Sequence, residues 1–244
     1  MKIQLSNIFK IFSNNHKALK NINLKFDKKE ITTILGRSGS GKSTLLRIIN
    51  LLEKPSKGKI FFDNEEIIQN KPNNSYLKIG MVFQQFNLFP HFTVEKNLTY
   101  ALMKYSTELS FDVIKERAKI LLKKFNIEDK IHSYPKDLSG GEKQRAAICR
   151  ALMLQPKFMT FDEPTSALDV ENTNDVIKII RELKKEMNIL LITHNIKFAQ
   201  IVSSRVLFMD KGEILEDTKS SQFFSSPNSH RGKIFLKNIE NLIF

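Results

Sequence analysis

The residues best suited to chemistry in this 244-residue chain form one glycine-rich stretch near its start. The stretch reads Gly36-Arg37-Ser38-Gly39-Ser40-Gly41-Lys42-Ser43-Thr44. An apolar run at residues 31–35 precedes it and predicts a buried strand, while the apolar spacing of residues 44–49 predicts a helix. The pattern G-x-x-x-x-G-K-[ST] between a strand and a helix is typical of a phosphate-binding loop.

The chemistry of such a loop follows from the charge of a nucleoside triphosphate. Backbone N–H groups surround the phosphates, and glycines let the main chain come close to them. The following helix points the positive end of its dipole at the same anion. We expect Lys42 to reach the β- and γ-phosphates and the Ser43 hydroxyl to bind Mg²⁺.

Two further polar groups follow predicted buried strands. Asp162 and Glu163 come directly after residues 158–161, and His194 follows residues 189–193. An Asp at the end of a strand can hold Mg²⁺ through its water shell, and the adjacent Glu can polarise an attacking water. Because ligands bind at the carboxyl ends of the strands in a parallel α/β sheet, we expect both groups to meet the phosphate-binding loop.

Three other features each allow two interpretations. Phe12, before a predicted polar turn at residues 13–17, can stack on an adenine ring or belong to the core. Ser139-Gly140-Gly141 opens a predicted helix through Leu154, either as a second anion site or as an ordinary cap. The apolar segment 86–92 is either a buried connection or a docking surface for a partner.

The remaining periodicity predicts strands within residues 1–27, a loop at residues 70–76 and a strand over residues 79–83. It also predicts helices over residues 93–126, with Ser110 as a cap, and over residues 170–187.

The composition is that of a globular chain, with 41% hydrophobic and 27% charged residues. A net charge of +13 fits an anionic partner, such as nucleic acid, a nucleotide or a membrane surface, or simply a lysine-rich surface. The single cysteine, Cys149, excludes an internal disulfide and is predicted to lie in the core. Neither an 18-residue apolar run nor a signal-peptide pattern is present, so we expect a cytosolic chain without a spanning helix.

Over essentially its full length the chain resembles the ATP-binding subunit of ABC transporters. The loop at residues 36–43 resembles the Walker A motif, Leu138-Ser139-Gly140-Gly141-Glu142 the ABC signature, and residues 158–163 Walker B with its catalytic glutamate. Gln84 matches the Q-loop glutamine, Ser166-Ala167-Leu168-Asp169 the D-loop, and His194 the switch histidine. Phe12 falls where the family places its adenine-stacking aromatic, and all the motifs occur in the family's order.

The resemblance implies an α/β fold: a P-loop NTPase (RecA-like) core with an N-terminal antiparallel β subdomain and an α-helical signature subdomain. It implies a single ABC ATPase domain over residues 1–244, with its core at about 1–85 and 156–220 and the helical subdomain at about 86–155. A short helical tail would occupy about residues 221–244.

The resemblance also implies a head-to-tail homodimer that holds each ATP between Walker A of one copy and the signature of the other. Glu163, His194 and Gln84 are the implied catalytic residues, and Ser43, Gln84 and Asp162 the implied Mg²⁺ ligands. The implied nucleotide contacts are Phe12, the loop from Gly36 to Thr44, Ser139, Gly140, Gly141, Glu142 and Asp169. Segment 86–92, beside Gln84, would help form the groove for a coupling helix of transmembrane permease subunits.

Three stretches look like those of polar amino acid importers: GRSGSGKSTLLRIINLLEKPSKGKI, VFQQFNLFPHFTVEKNL and FDEPTSALD. They imply ATP-driven import of a polar amino acid from the cytoplasmic face of the membrane, with an extracytoplasmic solute-binding protein as an indirect partner. Three departures stand out: Glu142 replaces glutamine, Asn195 replaces glutamate, and Glu216-Asp217-Thr218 replaces a glycine-containing turn.

Other classes of protein share parts of this pattern. Glu142 is familiar in ABC subunits of lipoprotein-release and export complexes. A soluble ABC ATPase acting on nucleic acid or ribosomes would suit the +13 charge, but usually carries two cassettes or a coiled-coil insertion. This chain has neither, so no nucleic-acid partner is expected. A P-loop kinase would share the phosphate-binding loop at residues 36–43, but its function would not require the signature segment at residues 138–142.

Overall fold

The computed structural model describes residues 1–68, 78–105 and 109–240. The strands are β1 (Ile3–Ile11), β2 (Lys17–Phe26), β3 (Ile31–Leu35), β4 (Lys57–Phe62), β5 (Glu65–Glu66), β6 (Ile79–Val82), β7 (Phe158–Asp162), β8 (Asn188–Ile192), β9 (Arg205–Asp210) and β10 (Glu213–Lys219). The α-helices are α1 (Lys42–Ile49), α2 (Val94–Tyr105), α3 (Phe111–Lys124), α4 (Gly140–Leu152), α5 (Val170–Leu183), α6 (Ile196–Val202), α7 (Ser220–Ser225) and α8 (His230–Glu240). Two short 3₁₀ turns, Glu128–Lys130 and Pro135–Asp137, lie between α3 and α4. The loop predicted at residues 70–76 lies outside the described residues.

The larger sheet contains the predicted parallel core. Its six strands run in the order β10-β9-β3-β8-β7-β6, and every neighbouring pair from β9 to β6 is parallel. Strands β3 and β8 are buried along their whole length, and β7 along all but its last residue. Burial on both faces explains their nearly continuous apolar sequences. This architecture confirms the predicted α/β fold and places the carboxyl ends of β3, β8 and β7 side by side.

The smaller sheet is antiparallel, with the order β2-β1-β4-β5. Its inward residues, such as Ile3 and Leu5, join Leu45 and Ile48 of α1 in one buried cluster. Side chains of β7 and β8 belong to the same cluster, so α1 packs against residues of both sheets. A second buried cluster contains residues of α2, α3, α4 and α5, including Cys149, which lies in the core as predicted.

Two helices end earlier than their periodicity predicts. Helix α5 ends at Leu183 rather than at residue 187, and α4 ends at Leu152 rather than at residue 154. After α5, the N–H groups of Lys185 and Glu186 donate to the carbonyls of Glu182 and Leu183, three residues back, at 3.0 Å each. The chain thus tightens into turns before β8 begins. Ser110 caps α3 as predicted, because its hydroxyl accepts a hydrogen bond from the N–H of Val113.

Residues 216–218, which replace the family's glycine-containing turn, lie within strand β10. The side chain of Glu216 is buried. Its carboxylate accepts hydrogen bonds from the N–H groups of Asn228 and Ser229, at 2.9 Å each, and from the Ser229 hydroxyl. This carboxylate ties the segment before α8 to the larger sheet.

Among the described helices, none combines the length and the hydropathy that crossing a membrane requires.

Asn50 links the helix of the phosphate-binding loop to strand β7. Its side-chain Nδ2 donates to the carbonyl of Leu46 at 2.7 Å, and its Oδ1 accepts from the hydroxyl of Thr160 at 2.9 Å. Both Asn50 and Thr160 are buried. Because α1 begins at the loop and β7 ends at Asp162, this side chain fixes two parts of the predicted site relative to each other.

We predict that Asn50→Ala lowers the free energy of unfolding by about 1–3 kcal/mol, because it leaves buried polar groups without partners. Urea denaturation of the purified chain measures the change. Asn174→Ala is the matched control, since Asn174 is exposed on α5. The control is expected to change the free energy by less than about 0.5 kcal/mol. Equal losses in the two variants would contradict the role given to Asn50.

Candidate active site

The phosphate-binding loop leaves β3 and enters α1 through backbone conformations that favour glycine. Gly41, with φ of 103°, lies so close to β2 of the smaller sheet that a Cβ would stand 2.5 Å from the Ala18 carbonyl oxygen. Gly39 also has positive φ, 76°, but a Cβ there would meet no atom within 4 Å. The tight packing at Gly41 fixes the base of the loop, whereas the space beside Gly39 is open to a ligand.

Lys42 is the first residue of α1 and its side chain is buried. The ammonium group donates to the carbonyls of Gly36, at 2.9 Å, and Arg37, at 2.8 Å. Burial lowers the pKa of Lys42, while the nearby carboxylates of Glu163 and Asp162 oppose that shift. An ammonium group has three protons to donate, so one remains for an anion above the loop.

The polar groups predicted to converge do line one cavity. It has a volume of about 260 Å³ and opens beside the loop. Its lining residues come from the loop, from the ends of β6, β7 and β8, and from the turn between β1 and β2: Phe12, His16, Ala18, Ser38, Gly39, Gly41, Lys42, Ser43, Thr44, Gln84, Asp162, Glu163, Ile192 and His194. The parallel sheet thus brings together residues more than 150 positions apart in sequence.

Glu163 is the most constrained acid in this cavity. It is 9% exposed, and its backbone has a φ of 49° directly after β7. Its Oε2 accepts a hydrogen bond from the N–H of His194 at 3.0 Å, while Oε1 lies 3.1 Å from His194 Nε2 without a hydrogen bond. Burial raises the pKa of Glu163 and also that of Asp162. A buried carboxylate with a raised pKa and one oxygen that makes no hydrogen bond is suited to take a proton from water.

Three oxygen donors in the cavity, from Ser43, Gln84 and Asp162, fit Mg²⁺ bound together with a nucleotide. The described residues contain no group of three or more His, Cys, Asp or Glu that could hold a metal by itself. Mg²⁺ commonly keeps several waters and is bound by one or two carboxylates plus substrate phosphates. A single carboxylate with a hydroxyl and an amide therefore suits this ion when phosphates complete its shell.

The turn between β1 and β2 places two aromatic rings at the mouth of the cavity. Phe12 is 36% exposed, so its interpretation as a core residue is wrong. His16 stands parallel to it, with 9° between the ring planes and 6.5 Å between the centroids. The pair forms because the N–H of Phe12 donates to the carbonyl of His16 across the turn, at 3.0 Å. Sequence reasoning missed His16, although the polar turn at residues 13–17 located the hairpin that pairs it with Phe12.

Some predicted site residues do not line this cavity. They are Gly36, Arg37, Ser40, Ser139, Gly140, Gly141, Glu142 and Asp169. Ser40 is buried beneath the loop, and its carbonyl accepts from the N–H of Gly212 at 3.0 Å. Ser139 instead caps α4, and Asp169 caps α5 by accepting from the N–H of Asn172 at 2.8 Å. Within one chain, the signature segment and the phosphate-binding loop are thus not parts of one cavity.

Asn195, which replaces the family's glutamate after the switch histidine, has a structural use. It caps α6, with its Oδ1 accepting from the N–H of Phe198 at 3.0 Å. Its own N–H donates to the hydroxyl of Thr193 at 3.0 Å. The substitution keeps the local turn that presents His194 and removes one negative charge from beside it.

An apolar groove lies next to Gln84, between β6 and helices α2 and α4. It has a volume of about 540 Å³, and its lining includes Phe83, Phe89, Tyr100 and Tyr105. Phe86 packs against the core, whereas Phe89 is 44% exposed. Segment 86–92 is therefore both a buried connection and an open surface. Arg150 of α4 holds its shape by donating to the carbonyls of Asn87 and Phe86, at 2.5 and 3.1 Å.

Comparison with known proteins agrees with an ATP-binding site in this cavity. Residues 19–166 match the family described as ABC transporter. The chain is 46% identical to the glutamine transport ATP-binding protein GlnQ of Geobacillus stearothermophilus over 92% of this chain and 93% of that protein. It is 45% identical to the arginine transport ATP-binding protein ArtM of Bacillus subtilis, over 97% of this chain and 99% of that protein.

Solved structures agree with these relatives. The dimeric post-hydrolysis structure of the ATP-binding cassette MJ0796 bound to ADP and Pi has a TM-score of 0.79 and 34% identity, covering 89% of this chain and 98% of that one. The structure of cbiO1 from Clostridium perfringens, part of the ABC transporter complex cbiONQ, has a TM-score of 0.81 and 29% identity, covering 99% and 98%. Because the family match covers more than half of the chain and these relatives align over nearly all of it, this chain belongs to the ABC transporter family of ATP-binding subunits.

Proposed function

We propose that this chain binds and hydrolyses ATP to power the import of a polar amino acid across the cytoplasmic membrane. The observation that carries the proposal is the single cavity shared by the phosphate-binding loop, Asp162, Glu163 and His194. The relatives named for glutamine and arginine transport support import over the alternatives. Glu142 alone would favour lipoprotein release or export, but it is one position against similarity along nearly the whole chain.

The phosphate-binding, metal-binding and catalytic residues of the cavity have separate roles in this proposal. The loop and the third proton of Lys42 bind the phosphates, and the N-terminus of α1 stabilises their charge. Ser43, Asp162 and Gln84 would hold Mg²⁺, which supplies positive charge to the β- and γ-phosphates when bound. Glu163 orients the attacking water and takes its proton, while His194 contacts the γ-phosphate side. In phosphoryl transfer the protein contributes mainly by positioning the reactants and stabilising charge, and it forms no covalent intermediate in this proposal.

The second half of the site is proposed to come from another copy of the chain. The N-terminus of α4, at Ser139, Gly140 and Gly141, is an anion-binding arrangement that lies outside the cavity of its own chain. A head-to-tail dimer brings it onto the γ-phosphate held by the partner copy. Asp169, at the start of α5, would contact the same interface. The dimeric ADP-bound cassette MJ0796 supports this arrangement.

The groove beside Gln84 is proposed to receive a helix of the transmembrane permease subunits. Exposed aromatic side chains, among them Phe89 and Tyr100, give it an apolar surface. The partly buried Arg150 fixes the loop that forms one wall. A chain docked in this way lies at the cytoplasmic face of the membrane, and an extracytoplasmic solute-binding protein acts on it only through the permease.

His16 is proposed to form the second face of the base-binding slot. A planar ring held between two aromatic faces needs them about 7 Å apart, twice the usual carbon–carbon contact distance. The ring centroids of Phe12 and His16 lie 6.5 Å apart, which is the greatest possible separation of these nearly parallel planes, so the rings must move slightly apart to admit a base; both line the cavity. Stacking on an aromatic side chain stabilises a bound base by about 1–3 kcal/mol.

We predict that Glu163→Gln lowers ATP hydrolysis at least about 100-fold, because the amide cannot take the proton of the attacking water. ATP binding should survive, so the variant should accumulate as an ATP-bound dimer. Steady-state ATPase rates and analytical ultracentrifugation with and without ATP measure both effects. Glu116→Gln is the matched control on the exposed face of α3 and should behave as wild type. Hydrolysis by Glu163→Gln at the wild-type rate would overturn the assignment of the catalytic glutamate.

We predict that His16→Ala weakens ATP binding about tenfold, because the imidazole of His16 contacts the adenine base. The binding of inorganic tripolyphosphate should not change, because this ligand has no base. Isothermal titration calorimetry with both ligands separates the two effects. His16→Phe should keep most of the affinity, and Lys17→Ala serves as the neighbouring control. Equal losses of affinity for ATP and tripolyphosphate would show that His16 acts through the loop rather than on the base.

A further inference from the structure

A carboxylate stands beside the start of α4, where the proposed dimer brings the γ-phosphate of the partner copy's ATP. Glu142 is the third residue of α4, a position at which the family usually has neutral glutamine. Two negative charges a few ångströms apart repel each other strongly wherever water is displaced. A free Glu142 carboxylate would therefore oppose the anion that this helix terminus is built to bind.

The structure keeps this carboxylate from being free. Glu142 Oε2 accepts a hydrogen bond from the backbone N–H of Ser139 at 2.7 Å, and the N–H of Glu142 donates to the Ser139 hydroxyl oxygen at 3.3 Å. These two bonds form a capping box, which turns the carboxylate back across the start of the helix. Chiefly because of the N–H of Ser139, with Lys130 adding to it, the pKa of Glu142 lies below its ordinary value. Its charge is therefore present at neutral pH.

The other carboxylate oxygen faces a lysine from a different element. Lys130 closes the 3₁₀ turn Glu128–Lys130, and its Nζ lies 3.4 Å from Glu142 Oε1 and 3.2 Å from Asp129 Oδ2. The Lys130 side chain is about one-third exposed, and that of Glu142 is one-fifth exposed. The two partners of Glu142 thus use both of its oxygens, one through the backbone and one through an opposite charge.

What remains at the helix start is suited to an anion. The first N–H groups of an α-helix have no acceptor within the helix, so those of Gly140 and Gly141 stay available. The Ser139 hydroxyl accepts from Glu142, so its own proton is free to be donated. Without Lys130, the Glu142 carboxylate beside these donors would lack its positively charged partner.

We infer that Lys130 is a positioning residue of the signature segment, holding Glu142 back and cancelling its charge so that the partner copy's γ-phosphate can bind. The inference rests on the proposed function, because it requires the ATP-bound dimer. Lys130 does not touch the nucleotide in this account; it acts through Glu142. Its effect must therefore depend on the presence of the Glu142 carboxylate.

A double-mutant cycle in the Glu163→Gln chain tests this dependence. Lys130→Gln, Glu142→Gln and the combined variant are compared by the ATP-dependent monomer–dimer constant from analytical ultracentrifugation at low salt. With Glu142 present, Lys130→Gln should weaken dimerisation about threefold to tenfold. With Gln at position 142, the same change should have an effect of less than about twofold. Lys130→Arg should preserve dimerisation, and Lys119→Gln, which removes one charge from exposed α3, is the control.

Two further measurements distinguish an electrostatic effect through Glu142 from a direct effect on nucleotide binding. Raising the salt concentration should shrink the effect of Lys130→Gln, because exposed charges are then screened. ATP binding to the monomer should not change, since Lys130 lies outside the cavity. A loss of dimerisation that is equal with Glu and Gln at position 142, or absent with both, would overturn the inference. Failure of the Glu163→Gln chain itself to dimerise with ATP would instead refute the proposed function.

Discussion

The burial of charge at the carboxyl ends of three parallel strands is the constraint on which the rest of this structure depends. Lys42, Asp162 and Glu163 lie in one cavity, and burial shifts the pKa of each towards its neutral form. For Glu163 the folded-state pKa is raised, so the stability of the free protein falls as pH rises through the range between the unfolded and folded values. The proposed Mg²⁺ would balance the carboxylates and the phosphates would balance Lys42, and a ligand that binds only the folded state offsets this cost.

The elements around the cavity fix the positions of these charged side chains relative to one another. The buried strands β3, β8 and β7 give the acids and the loop a rigid base, and Asn50 joins α1 to β7 through Thr160. Helix α4 connects two more distant parts. Its first residues present the signature, and Arg150 near its end holds the loop of the apolar groove. Its 13 residues span about 20 Å, so one rigid body joins the proposed permease contact to the proposed dimer contact.

Much of the cavity could be predicted because its motifs are local and its sheet is parallel. Residues 36–43 carry their chemistry and their conformation in one short run, and the strands before Asp162 and His194 are recognisable because both faces are buried. The parallel order of those strands then brings the three groups together. The same reasoning located the cap of α3 at Ser110, where side chain and backbone are neighbours in sequence.

The features that escaped prediction depend on contacts that sequence spacing does not encode. His16 meets Phe12 only because a turn pairs them, and Lys130 meets Glu142 only because a 3₁₀ turn folds onto the start of α4. The end of α5 at Leu183 is set by the turns that feed β8, although residues 184–187 continue a helix-compatible sequence. Segment 86–92 has both interpretations at once, since Phe86 faces the core and Phe89 faces the groove.

The central claim is that ATP hydrolysis in this cavity powers amino acid import. Uptake of a labelled panel of polar amino acids tests it most directly, in cells that carry either the wild-type chain or Lys42→Ala, with Lys119→Ala as a control of equal charge change. The account predicts selective loss of one or a few amino acids with Lys42→Ala and none with the control. Unchanged uptake of the whole panel would contradict import and point to lipoprotein release or export.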